Sequence, residues 1–197
     1  MPSGVLRFDE AQHVYDIDGL ELLGVTHTLD AAGLIDSTWF TDESRIRGTY
    51  VHAAIVLHHE GDLDVDTLDP VLTPYVHAYF AFLRDTGFQI DAYEDRVFSE
   101  PLRCAGTLDL RGPFPRDRRF VTNVIDIKTG VVPDHVGYQT AGYAMLLPST
   151  LPPVHNRWVL NLRADGTYRL HPLTRVTDEA VFRAALTLAH AKRGWLR

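Results

Sequence analysis

Three strand-like stretches, residues 89–98, 104–110 and 120–127, follow one another in the middle of the chain with only turns between them. Helix-length patterns stand on both sides of them. That order commits the chain to a sheet with helices packed on its faces. The first long helical pattern spans residues 42–59, with Ile46, Val51, Ile55 and Val56 as apolar positions and Gly61 as its stop. A second runs from Leu68 or Thr73 to Thr86, with Val76, Tyr79, Phe80 and Leu83 on one face and Gly87 past its end. Ahead of them, residues 5–23 read as a β-hairpin turning at Asp18-Gly19. A short helix follows, capped at Thr26 or Thr28 and ended by Gly33. After the strands come a helix over 136–147, a strand pair over 154–162 and 168–173 joined at Asp165-Gly166, and a last helix from Thr177. Its expected apolar stripe is Val181, Ala184, Ala185, Leu188 and Ala189. The expectation is one α/β domain over residues 1–197 with a mixed central sheet: an N-terminal hairpin over 1–24, a core over 25–147, and a strand pair and helix over 148–197.

Composition narrows the class. An apolar fraction of 45% in 197 residues can fill a core. No apolar run approaches the ~18 residues of a membrane span, and Met1-Pro2-Ser3-Gly4 opens no secretory signal. The single cysteine, Cys104, excludes an internal disulfide, a cysteine-rich metal knuckle and an iron–sulfur cluster. A cytoplasmic protein is expected. The net charge of −7 divides unevenly: residues 1–100 carry 5 Arg and 19 Asp or Glu (−14), whereas residues 101–197 carry 12 Arg, 2 Lys and 7 Asp or Glu (+7). Such asymmetry fits a polyanion partner or two halves that attract each other across one core. Only Lys128 and Lys192 are lysines, so a position that keeps lysine draws notice.

Three short segments hold the chemistry: Gly106-Thr107-Leu108-Asp109, expected to end one strand, Asp126-Ile127-Lys128-Thr129-Gly130, ending the next, and Gln139-Thr140-Ala141-Gly142-Tyr143 in the following helix. On a strand, Asp126 and Lys128 share a face while Ile125 and Ile127 turn to the core. Alone, that pair reads as a surface ion pair at a strand end. Asp109 lies 17 residues ahead of Asp126, a separation that a hairpin returns to the same end of the sheet. Two convergent carboxylates suit a hard cation such as Mg²⁺, and an adjacent Lys128 suits orientation of a nucleophile or neutralisation of phosphate charge.

Asp109 with Asp126-Ile127-Lys128 resembles the PD-(D/E)xK nuclease signature. The ordered set GxxD, DxKTG and QxxxY within 38 residues resembles the RecB-like nucleases, a group that includes phage-type recombination exonucleases. Arg47-Gly48-Thr49-Tyr50-Val51-His52 resembles that group's upstream Gly-x-x-x-His element. The resemblance covers roughly residues 25–147. It implies a restriction-endonuclease-like α/β core, here with an added N-terminal hairpin. It implies catalysis by Asp109, Asp126 and Lys128, assisted by Gln139 and Tyr143, and a metal held by His52, Asp109, Asp126 and the Ile127 carbonyl. Arg47, Thr129 and Tyr143 are the implied nucleic-acid contacts, and Glu94 matches an acidic position often found ahead of GxxD. A solvated acidic turn with Asp91 and Asp95 explains Glu94 equally well. Mg²⁺ is the implied cofactor, Mn²⁺ a plausible substitute, and no iron–sulfur cluster can be built.

The implied activity is metal-dependent DNA hydrolysis, more readily at DNA ends than at internal sites, in recombination, repair or phage DNA metabolism. A structure-specific endonuclease and a non-catalytic nucleic-acid-binding or assembly module remain alternatives. DNA is the implied partner, with a homo-oligomer and a recombination or annealing protein as further ones. Arg103, Arg111, Arg116, Arg118, Arg119, Arg157, Arg163, Arg169, Arg175, Lys192, Arg193 and Arg197 are candidates for phosphate contact or for ordinary solvated faces. Trp39, Tyr50, Tyr138 and Trp195 are candidates for base stacking or for the core.

Overall fold

The computed structural model describes residues 4–10, 12, 14–36, 41–117 and 121–196. Trp39, Arg118, Arg119, Phe120 and Arg197 lie outside them. The chain begins with three antiparallel strands, β1 (Leu6–Asp9), β2 (Val14–Ile17) and β3 (Leu20–Gly24), so the expected hairpin gains a third strand. Helix α1 (Val25–Ala31) starts directly from β3 with Gly24 at its N-cap and no side-chain cap. The expected caps Thr26 and Thr28 therefore lie inside the helix, and Thr28 is buried there.

Helix α2 (Asp42–Glu60) is punctuated as its sequence demands. Thr41 accepts from the Ser44 amide, Asp42 and Glu43 sit at the positive end of its dipole, and Gly61 takes the left-handed conformation that ends it (φ +81°). Helix α3 (Thr73–Thr86) closes on Gly87 in the same way. Then come β4 (Ala92–Ser99), β5 (Cys104–Gly112), β6 (Thr122–Lys128), α4 (Val136–Leu146), β7 (Val154–Leu162), β8 (Tyr168–Pro172) and α5 (Asp178–Lys192). Helix α5 is rotated from expectation. Its buried side is Asp178, Phe182, Ala185, Leu186 and Ala189, whereas Ala184 and Leu188 face solvent, because the bulky Phe182 seats against Gly142 of α4.

All eight strands join one mixed sheet, ordered β1-β2-β3-β5-β6-β7-β8, with β4 on β5. Ile125, Ile127, Leu110 and Leu160 pack with Val51 and Ile55 of α2 and with Tyr79 and Phe82 of α3. Leu108 and Val124 pack with α1, α4 and α5 on the other side. Strand β6 is therefore buried on both faces, as its run of apolar residues requires.

Strand β5 is the fork of the sheet. Strand β4 pairs along one of its edges from Cys104 to Arg111. On the other edge, β3 takes Cys104 and Ala105 in parallel, and β6 takes Leu110 to Gly112 in antiparallel. Between those pairings the edge of Gly106-Thr107-Leu108-Asp109 is open. Asp109 thus stands inside a strand and not at its end, at the point where β3 and β6 part.

Candidate active site

The fork lets groups from four elements converge. Asp109 uses the gap to reach across to β6, and its Oδ2 accepts from the Ile127 amide at 2.5 Å. His52 comes down from α2, one turn past Gly48. Its Nδ1 lies 3.1 Å from Glu94 Oε1 and 3.8 Å from Asp109 Oδ1, and its Nε2 lies 3.4 Å from the Ile127 carbonyl. Ligand atoms of His52, Glu94 and Asp109 all fall within 4.8 Å of one another. One imidazole nitrogen with two carboxylates and a nearby carbonyl is a donor set that fits Mg²⁺ or Mn²⁺.

Glu94 belongs to this group. Tyr93 pairs with Leu110 and Asp95 with Leu108, so Glu94 stands across the ladder from Asp109. It does so with φ +43°, a left-handed conformation in the middle of a strand. Asp95 instead pairs with Arg111 at 2.6 Å, so the expected acidic turn is a strand whose carboxylates have separate partners.

Asp126 engages Lys128. The Lys128 ammonium lies 2.5 Å from Asp126 Oδ2, and Asp126 is only 2% exposed while Lys128 is 25% exposed, so the expected surface ion pair has its carboxylate buried. Burial raises the Asp126 carboxyl against the pull of Lys128, and burial likewise raises Asp109 against His52 and Lys128. Burial disfavours charge on Lys128 too, but Asp126 and Asp109 outweigh it and hold the ammonium above its ordinary range. The two carboxylates thus favour the charged form of Lys128. Burial also opposes charge on His52, yet Asp109 and the Glu94 hydrogen bond carry the ring up to about 9.

A cleft of about 780 Å³ reaches this cluster at His52, Ile127 and Lys128, with Arg47 and Gly48 beside His52 and the chain from Lys128 through His135 also lining it. Thr129 and Gln139 line it as well. Arg47 spends one Nη2 bond on the Thr129 carbonyl at 3.2 Å and stands over the Tyr75 ring. Gln139 Nε2 donates to the Tyr143 hydroxyl at 2.9 Å. Tyr143 is 5% exposed, and its ring lies flush with β5: a Cβ at Gly106 would come within 2.7 Å of it. The glycine of GxxD and the tyrosine of QxxxY are two sides of one close approach, which sets Tyr143 beneath the cleft.

Two groups at or beside the cleft wall escaped the reading of the sequence. His135 lines the cleft from the start of α4, and Asn161 of β7 donates to the Gly130 carbonyl at 2.6 Å. Neither belongs to a motif, and only the parallel β6–β7 pairing brings Asn161 near.

Several of the basic residues hold the fold together. Arg157 binds the Gly137 carbonyl, Thr140 and Asp178, tying β7 to α4 and α5. Lys192 donates to the Ala31 carbonyl, and Arg193 pairs with Glu21. Arg103 stacks on Trp195, 3.5 Å from its ring centre, and Tyr138 packs on the α5 side of the core. Arg111–Asp95 and Arg193–Glu21 join the basic half of the chain to the acidic half. Tyr50 remains exposed on α2.

No family model matches the chain, and no curated protein matches it. Among solved structures, it is similar to an alkaline exonuclease (LHK-Exo) from Laribacter hongkongensis, 14% identical, with 88% of this chain and 92% of that one covered at a TM-score of 0.34. The same exonuclease in complex with dAMP gives 14% identity, coverage of 89% and 91%, and a TM-score of 0.38. At such values the functional reading rests on the residues of this chain. No helix among the described residues is long and apolar enough to cross a membrane.

Proposed function

We propose that residues 1–197 act as one PD-(D/E)xK-type nuclease domain that hydrolyses phosphodiester bonds in DNA with a divalent cation. The observation that carries the reading is the meeting of His52, Glu94, Asp109 and the Ile127 carbonyl beside the Asp126–Lys128 pair, at a cleft that His52, Ile127 and Lys128 line. Those four groups would hold Mg²⁺, or Mn²⁺ in its place, which when bound supplies positive charge at the scissile phosphate and lowers the pKa of water. Lys128, kept charged by two carboxylates, stabilises negative charge developing on the phosphoryl oxygens. Asp126 holds the ammonium in place and adds its charge to the site. Gln139 and the buried Tyr143 set the depth of α4 over β5, and Arg47 and Thr129 form the wall along which a DNA backbone would run. The motif set favours digestion from DNA ends, within recombination, repair or phage DNA metabolism.

The test is incubation of linear and closed-circular duplex DNA with Mg²⁺, Mn²⁺ or EDTA, for wild type and Lys128→Ala. Metal-dependent loss of linear DNA that the substitution abolishes is the expected result. Nicking of circles would identify an endonuclease instead. DNA that stays intact under every metal while still binding the protein would identify a non-catalytic module and overturn the proposal.

A further inference from the structure

The backbone that leaves β6 after Lys128 is gripped from two elements far apart in the chain. Arg47 of α2 donates to the Thr129 carbonyl at 3.2 Å, and Asn161 of β7 donates to the Gly130 carbonyl at 2.6 Å. Lys128 and Asn161 are the last registered pair of the parallel β6–β7 ladder. Registered residues of a parallel pair share a face, so the amide lies beside the lysine. Past that pair the chain bends away to form the cleft wall through His135. Side chains therefore take over the backbone bonding at the point where the ladder stops. Asn161 is 8% exposed, which places its bond to Gly130 largely away from competing water.

We propose that Asn161 is a positioning residue for Lys128 and for the cleft wall. By fixing the Gly130 carbonyl it sets the direction in which the chain leaves Lys128, and so the place of the ammonium relative to Asp126. Arg47 holds the adjacent carbonyl from a second element, so two successive carbonyls of the turn are fixed. The kinetic consequence rests on the nuclease reading above, whereas the grip itself does not.

The experiment uses the full chain with Asn161→Leu, which has similar volume and no donor, and Asn161→Asp, which donates only when protonated. Expected at pH 8 is a fall in kcat of about tenfold in both variants, with KM for linear duplex DNA within about twofold of wild type. As pH falls towards 5.5, the ratio of Asn161→Asp to wild-type kcat should rise, while the ratio for Asn161→Leu stays flat. A lowered melting temperature with unchanged kcat, or parallel pH profiles for the two variants, would overturn the proposal. Amide exchange over residues 129–132, followed by mass spectrometry without metal, should quicken at least about tenfold in Asn161→Leu. Unchanged exchange overturns the grip whatever the activity. A wild type that degrades no DNA would sink the nuclease reading, and the exchange measurement would still decide the role of Asn161.

Discussion

Glu94 stands across the β4–β5 ladder from Asp109 and holds a left-handed backbone, φ +43°, while its carboxylate lies 3.1 Å from His52. A β-carbon is crowded in that conformation, at an expense of about 1–2 kcal/mol. Such strain persists only where the surroundings demand it, and here the demand comes from a ring delivered by α2. Local backbone preference gives way to the assembly of a site.

Glu94→Gly and Glu94→Ala separate the two roles of that residue. Both remove a carboxylate from the cluster and should weaken Mn²⁺ binding by about tenfold or more, measured by calorimetric titration. Glycine tolerates φ > 0, so Glu94→Gly should be more stable than Glu94→Ala by about 1 kcal/mol in urea melts. Equal melts would show that the strand relaxes and that no strain is stored.

Lys128→Met leaves the Asp126 carboxylate buried without its cation. Activity should fall by about a hundredfold or more, and stability by about 3 kcal/mol at pH 8. The carboxyl is raised by burial, so its neutral form is the one the fold favours, and the missing cation weighs most where Asp126 is ionised. The stability deficit against wild type should therefore shrink from pH 8 to pH 5 in urea melts. A deficit equal at both values would mean that the pair matters only through packing.

His52 titrates at about 9 in the metal-free fold, against about 6.5 in the unfolded chain. Its stabilising contribution is fully present below pH 6.5 and is lost as pH rises through about 9. Metal-free wild type should lose stability across that window, and His52→Asn should not. Coordination requires the neutral ring, so Mn²⁺ binding displaces one proton and its affinity should gain about tenfold per pH unit below 9. Titrations at pH 7 and pH 8 measure this, and an affinity independent of pH would remove His52 from the ligand set.

Gly106→Ala drives a methyl group to within 2.7 Å of the Tyr143 ring and 3.0 Å of Val25. Neither neighbour can move without shifting α4 or α1, so a loss of about 1–3 kcal/mol is expected in denaturant melts. Tyr143→Leu in the same chain should restore part of that loss. If Gly106→Ala melts like wild type, the contact between β5 and α4 is looser than the packing indicates.

The elements themselves were legible. Strand and helix periods located β2, β3 and all of β4 to β8, and the glycines at 61 and 87 marked the helix ends, because backbone geometry imposes those patterns locally. Where side-chain size decided an orientation, the sequence misled. Ala184 and Leu188 match a helical stripe as well as any, yet Phe182 takes the inner face since Gly142 leaves it room. Arginine-rich segments also read as surfaces for a polyanion, whereas Arg157 and Arg193 close contacts inside the chain.

The sequence alone determined which residue types could do the chemistry and, through the 17-residue return from Asp109 to Asp126, that two carboxylates would come near one another. The resemblance singled out Glu94, but a solvated acidic turn with Asp91 and Asp95 explained it equally well. The β4–β5 register separates the two readings, since it sets Glu94 opposite Asp109 and sends Asp95 to Arg111. Nor could the sequence bury the Asp126 end of its pair with Lys128, bring Asn161 to Gly130, or open the edge of β5 between β3 and β6. Spacing along a chain is local and survives in the sequence, whereas strand register and the divergence of a sheet arise from contacts between distant segments, and only the tertiary structure decides them.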